Sequence, residues 1–354
     1  MQTFYKFDPN YIKMLLRKSE KKLSRTICPV ERKNLQEEIE LFRNFLQENY
    51  EGIEISTPSM PKDLTKAKNQ ILSRLRKEYK ALGEDTINWL LKLEKEKLFQ
   101  GYNSTNQTKL DLPSQVLLTE DNYKRISPIL YKQIKKLLRP EQAKIQETTL
   151  ESSSYCHHVL VTDEPLLIIN PNESPSILNH EVEHAGEILL KYLSSYYLQE
   201  LGPMYMEHHF LERLYEQQGF LKEGDYAHRF QNLDEYIEDA ASYLRLIKLF
   251  KEKNFSVSTE DFIKIISDYE MLSNEEVLPY VYEQSLGADE QESVMYILSI
   301  LRAMELYDTS SSFEGDHLNL LKPDISNPNS SFHPPKEGIK VYKKYISKMQ
   351  TITK

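Results

Sequence analysis

Apolar residues recur at helical spacing through most of the chain. After Pro29, the residues Leu35, Ile39, Phe42 and Leu46 fall on one face of a helix whose other positions are largely charged. Pro29 suits a first turn, where a missing N–H is not needed. Residues 51–63, EGIEISTPSMPKD, break the period. A second amphipathic stretch carries Ile71, Leu72, Leu75 and Tyr79, and a third carries Ile87, Trp89, Leu90, Leu91 and Leu93. Residues 101–113, GYNSTNQTKLDLP, have the composition of a linker. A further helix is predicted over 127–139, with Pro128 in its first turn.

The character then changes. SYCHHVLVT (154–162) and LLIIN (166–170) are rich in strand formers, and Asp163-Glu164-Pro165 between them predicts a hairpin. Helical patterning resumes over 178–200, 204–218, 232–252, 258–273 and 275–307. Residues 308–337, rich in Ser, Asn and Pro, predict irregular structure before a last helix over 339–350. The expected fold class is α+β and predominantly α-helical, with one small sheet. The expected organisation is an N-terminal helical region over 1–112, a core over 113–255, and a C-terminal helical region over 256–354 that packs on the core.

Composition narrows the function classes. The 354 residues are 40% hydrophobic and 28% charged, ordinary for a globular chain. A net charge of −9 argues against general binding to nucleic acid or to anionic membranes. Basic runs such as Arg17-Lys18-Ser19-Glu20-Lys21-Lys22 are mixed with acids and read as solvated helix faces. No stretch approaches the roughly 18 apolar residues that a membrane span needs. The opening MQTFYKFDPNYIKMLL lacks the layout of a Sec signal. Cys28 and Cys156, the two cysteines, lie far apart and fit a reducing compartment better than a disulfide framework. The expected location is the cytoplasm, or outside the cell by a route that reads no Sec signal, delivery into a host cell included.

Chemistry enters at residues 180–184, HEVEH. On a helix, positions i and i+4 share a face, so His180 and His184 can turn two imidazole nitrogens toward one ion. Glu181 is then placed to take a proton from the attacking water. Ile177, Leu178, Val182, Ile188 and Leu189 make the same helix apolar on its other sides. A half-buried helix that carries this many charges calls for a ligand. The expected cofactor is Zn2+, which needs a third protein ligand. Two downstream stretches offer one: MYMEHH (204–209), with Glu207, and NLDEYIEDAASY (232–243), with Glu235. The second has Asn232 as a helix N-cap and Glu235 in the first turn, with Asp239 one turn on to accept from a ligand histidine. His208 and His209 read as surface helix residues. Cys156-His157-His158 does not read as a metal site, because strand alternation sends His157 to the opposite face from its neighbours.

HEVEH followed by DEYIEDAASYL resembles the gluzincin peptidases related to the anthrax lethal factor catalytic domain. The resemblance covers roughly residues 154–245. It implies a zincin-like core with an active-site HExxH helix, elaborated here by N- and C-terminal helices. It implies zinc on His180, His184 and Glu235, Glu181 as general base, Asp239 orienting a histidine, and Tyr226 helping to stabilise the oxyanion. The chain departs from that pattern at Glu183, where Gly is usual, at Asp239, where Glu is usual, and in the nine residues between Tyr226 and Glu235. PLLIIN before NHEVEHA is also similar to thimet-type oligopeptidases, which implies Glu207 as the third ligand. The expected function is a zinc-dependent metalloprotease of narrow specificity, of the bacterial effector or toxin type, acting on a protein or peptide. The alternatives are an oligopeptidase using Glu207, or a non-enzymatic helical interaction protein with a relic metal site.

Overall fold

The structure, a computed structural model, describes residues 8–49, 63–96, 109–139, 144–148, 153–191, 199–218, 223–271, 278, 281, 288–309 and 334–352. By their contacts the residues divide into two compact units, each drawn from three stretches of chain: Met1–Ser56, Ser104–His228 and Ala303–Pro323 in one, Thr57–Asn103, Arg229–Arg302 and Asp324–Lys354 in the other. The described residues are predominantly helical, with one three-stranded sheet, as the sequence predicts.

The first unit holds the sheet. Helix α1 (Pro9–Leu23) starts where the Asp8 side chain accepts from the backbone N–H groups of Asn10 and Tyr11, with Pro9 at the first position. It runs antiparallel to α2 (Pro29–Asn49), because Lys22 pairs with Glu31 while Ser19 bonds to Glu38. The sheet has the order β1-β3-β2. Strand β1 (Ile145–Glu147) runs parallel to β3 (Glu164–Ile169), and β2 (Tyr155–Val159) runs antiparallel to it, with Cys156 opposite Leu167 and His157 opposite Leu166. Alternation then divides the faces. Val159, Leu166 and Ile168 join Ile12, Leu15, Phe42, Phe45 and Leu46 in one buried cluster beneath α1 and α2. Leu167 and Ile169 face the other way, where α7 (Ser176–Leu190) packs. Helices α5 (Leu112–Ile126), α6 (Pro128–Ile134) and α8 (Leu201–Gln218) pack against α7 as well.

The second unit contains α3 (Leu64–Leu82), α4 (Glu84–Leu93), most of α9 (Glu223–Glu252), α10 (Thr259–Glu270), most of α11 (Ala288–Thr309), and α12 (Lys336–Ile352). Gly83, at φ 75°, makes the bend between α3 and α4. Gly338 brings α12 so close to α11 that a Cβ there would overlap the Leu301 carbonyl oxygen.

Several boundaries differ from expectation, each for a local reason. Asp111 and Pro113, assigned above to a linker, open α5: the Asp111 carboxylate caps the Ser114 N–H. The predicted hairpin forms, but its turn falls at residues 160–163, with Asp163 at φ 56°, a conformation Asp tolerates, while Glu164 and Pro165, expected in the turn, already pair in β3. The helix expected over 178–200 ends at Leu190, because Lys191 adopts the left-handed conformation. The helix expected to start at Asn232 instead runs unbroken from Glu223, so Glu235 lies inside a helix and not in its first turn. Strand β1 had no sequence signal; its three residues are held by the parallel register to β3. Of the breaks expected at 51–63, 101–113 and 308–337, residues 51–62, 101–108 and 310–333 lie outside the described residues, while residues 308–309 and 336–337 are helical, at the end of α11 and the start of α12.

Candidate metal centre

Helix α7 is buried on several sides, and its charges are sorted by face. Asn179 and Glu183 face α5. Asn122 Nδ2 donates to Asn179 Oδ1 at 3.0 Å, and Asn179 Nδ2 donates to Thr119 Oγ1 at 2.9 Å. The Tyr123 hydroxyl lies 2.8 Å from Glu183 Oε2 and 3.1 Å from the Asn179 carbonyl. Burial and the Glu183 carboxylate together hold the Tyr123 phenol pKa well above its ordinary value, so it remains the donor. These bonds lock the rotation of α7 about its axis, and that rotation aims the two histidines.

His180 and His184 stack one turn apart, with ring centroids 5.0 Å apart and planes at 76°. Between them comes Glu200. Lys191 has turned the chain out of α7, and the backbone amide of Met204 donates to the Glu200 carbonyl at 2.9 Å, which places Glu200 as the N-cap of α8. Glu200 Oε2 lies 3.0 Å from His180 Nε2 and 3.3 Å from His184 Nε2. The three ligand atoms all fall within 4.8 Å of one another, and no other such group occurs among the described residues. Glu200 Oε2 is buried and, despite these distances, makes no hydrogen bond of ordinary geometry among the described residues. Three ligands at about 2.0–2.1 Å from a tetrahedral Zn2+ stand about 3.3–3.4 Å apart. The donor set and spacing therefore fit such an ion.

Each histidine has a further carboxylate at its other nitrogen. Glu207 Oε2 is 3.5 Å from His180 Nδ1, while Ser176 Oγ donates to Glu207 Oε1 at 2.9 Å. Glu187 Oε2 is 3.9 Å from His184 Nδ1. Close packing of α8 on α7 makes room for these acids at Gly202, where a Cβ would stand 3.2 Å from Glu187 Oε1 and 3.3 Å from Glu183 Cγ.

The electrostatics follow from burial with paired charges. Burial alone would lower the His180 pKa, but the Glu200 and Glu207 carboxylates beside its two nitrogens outweigh it and hold the ring well above its usual value. His184 follows the same balance, with burial opposed by Glu187 and Glu200, and is raised to about 9. Burial would raise Glu200, yet the two histidines hold it well below the carboxylate range. Glu181, also buried, is pushed up by burial, and the charges of His180 and His184 offset this only in part. A raised carboxyl beside two histidines that could hold a metal suits a group that takes up a proton. Cys156, on the face of β2 toward α7, is pushed well up by burial and then by the charges of Glu181 and Glu187, and stays a thiol.

The other candidates fall as follows. Glu235 and Asp239 are exposed on α9 in the second unit. Tyr226 lies on α9, with its side chain outside the described residues. His208 and His209 are not surface residues: both are buried and pack edge-on against Tyr307, with centroids at 4.5 and 4.6 Å. The reason is that α8 is covered through residues 201–212, not on one face alone. Strand alternation holds at Cys156-His157-His158. His157 meets Phe42 and Glu38 on the α2 side, and His158 bonds Asp163 at 2.8 Å. The sequence reading missed Glu200. Its signal was Gly202-Pro203, a helix start just after an acid, hidden because α7 was extended through residue 200.

No known protein family matches the sequence. No curated protein matches it either. Nothing in these comparisons supports the lethal factor resemblance. Among solved structures the chain is similar to a Bacillus anthracis str. Ames protein designated an oligoendopeptidase F, with a TM-score of 0.42 and 13% identity. That alignment covers 91% of this chain and 63% of the other, so the chain spans less than two thirds of that protein's length.

Proposed function

We propose that this protein is a zinc-dependent peptidase in which His180, His184 and Glu200 hold the metal and Glu181 is the general base. The observation that carries this reading is the convergence of two imidazole nitrogens and one carboxylate oxygen at ligand spacing, beside a buried carboxyl of raised pKa. A Zn2+ bound there supplies Lewis acidity and acidifies a water nucleophile. The chain's own groups do the rest. Glu181 takes the proton from the attacking water and returns it to the departing amine. Glu207, braced by Ser176, holds His180 with Nε2 toward the metal. Strand β2, which pairs on one side with β3 at the edge of the sheet and packs against α7, offers main-chain groups to an extended peptide.

The oligopeptidase-type site is preferred to the lethal-factor type. Glu200, sixteen residues after His184, sits between the two rings, whereas Glu235 is exposed on α9. Glu207, the third ligand implied by the oligopeptidase resemblance, lies on the Nδ1 side of His180 and fits the supporting role. The proposed substrate is a peptide, and a narrow effector specificity finds no support in the site.

The deciding experiment is metal content per chain for the wild type and for Glu200→Gln, Glu207→Gln and Glu235→Gln, with folding checked by circular dichroism. The reading expects about one zinc per wild-type chain. It expects loss in Glu200→Gln, weaker retention by roughly 10–100-fold in affinity for Glu207→Gln, and no change in Glu235→Gln. Loss in Glu235→Gln alone returns the site to the lethal-factor pattern. Glu181→Gln keeps its zinc and loses roughly 100-fold or more in turnover of unstructured peptides. Tyr226→Phe, run in the same assay, tests that tyrosine as oxyanion donor by a fall in kcat at constant zinc.

A further inference from the structure

The turn joining α1 to α2 combines two features that the fold does not use. Residues 17–33 hold seven Lys or Arg against two Glu, in a chain whose net charge is −9. At the tip of the same turn, Ile27 is 92% and Val30 69% exposed. Floppiness does not account for the exposure, because polar bonds brace the turn. Arg32 Nη1 donates to the carbonyls of Leu23 at 3.1 Å and Thr26 at 2.9 Å, and Thr26 Oγ1 donates to the Lys22 carbonyl at 2.9 Å. The backbone amides of Ser24, Arg25 and Thr26 bond back to Glu20, Lys22 and Leu23. Arg32 and Lys22 are engaged in holding this shape and in the pair with Glu31. Arg17, Lys18, Lys21 and Arg25 are exposed and make no ion pair among the described residues.

We propose that this tip docks the protein on an anionic lipid surface, with Ile27 and Val30 entering the interface and the surrounding cations meeting the headgroups. An apolar wedge inside a basic collar matches a medium that is negative outside and apolar beneath. A protein partner fits less well. A turn offering two exposed apolar side chains falls far short of the roughly 800 Å² per partner of a stable protein interface. The site is separate from the metal centre, so its test stands whatever the zinc experiments give.

The test is co-flotation of the full chain with phosphatidylcholine vesicles, with and without phosphatidylserine, at low and high salt. Binding is expected only with phosphatidylserine and is expected to weaken in salt. Ile27→Glu with Val30→Glu should cut partition at least about tenfold, and Lys21→Gln or Arg25→Gln about fivefold each. All four side chains are exposed, so melting temperature and circular dichroism should not move. No binding to phosphatidylserine vesicles overturns the proposal. So does equal binding to phosphatidylcholine alone, or binding that Ile27→Glu with Val30→Glu leaves intact. Capture by polyglutamate without vesicle binding overturns it in favour of an acidic protein partner.

Discussion

Glu183 is a carboxylate with no route to water, and it shows how individual side chains set this site. It is fully buried and takes the Tyr123 hydroxyl as a donor. Tyr123→Phe removes one hydroxyl from a locked, buried network. It should cost about 1–3 kcal/mol in chemical denaturation, and because Tyr123 also bonds the Asn179 carbonyl it should loosen the aim of His180 and His184. Zinc retention against a chelator is the second readout, expected to fall with stability. HEVEH was legible at this scale because its spacing alone places two rings on one helix face. Glu200 was not, because nothing in a lone Glu says which carboxylate will be folded between those rings.

Among the elements, the clearest dependence is that of the sheet on α1 and α2. Glu38 on α2 is buried and ties three elements together. Ser19 of α1 donates to it at 2.5 Å, the Leu160 amide after β2 at 2.5 Å, and the His157 ring lies 3.5 Å away. Burial opposes its charge, but these partners outweigh burial and hold its pKa below the ordinary 4.5. A carboxyl depressed in the folded state contributes stability that is full above the unfolded pKa and is lost as pH falls through the folded value. Glu38→Gln should therefore be less stable than wild type near neutrality. The gap should close in acid below about pH 4.5, as unfolding curves across pH would show. In the second unit, Gly338→Ala forces a methyl against the Leu301 carbonyl. It should cost at least about 1–3 kcal/mol, read as a fall in Tm. The hairpin β2–β3 was legible because alternating strand formers flanked turn residues. The starts of α5 and α9 were not: Asp111 reads equally as loop and cap, and α9 continues through a cap-like Asn232 because no residue between Asp225 and Glu235 breaks it.

For the whole molecule, charge and connectivity matter more than any one contact. Net charge of −9 argued against anionic surfaces for the chain as a unit. A local excess of cations at a projecting turn is a different quantity, since screening confines it to about 10 Å at 0.1 M salt. Vesicle binding that vanishes with salt and with Ile27→Glu plus Val30→Glu is the expected signature. No described helix is long and apolar enough to cross a membrane. Each compact unit draws on three separated stretches. Helices near the N-terminus cover the same sheet that α7 packs on, which a reading by consecutive segments does not anticipate.

Local chemistry was available from the sequence alone. Periodicity determined that the protein is mostly helical with one small sheet, and four-residue spacing determined that two histidines and the glutamate between them share a helix, because both are properties of a few turns of backbone. Tertiary structure decided the rest. It brought Glu200 to the histidines from beyond the end of α7 and set Glu207 behind His180. It covered His208 and His209, and left Ile27 in water. Each of these depends on which distant surface meets a residue, and that is determined only when the helices pack.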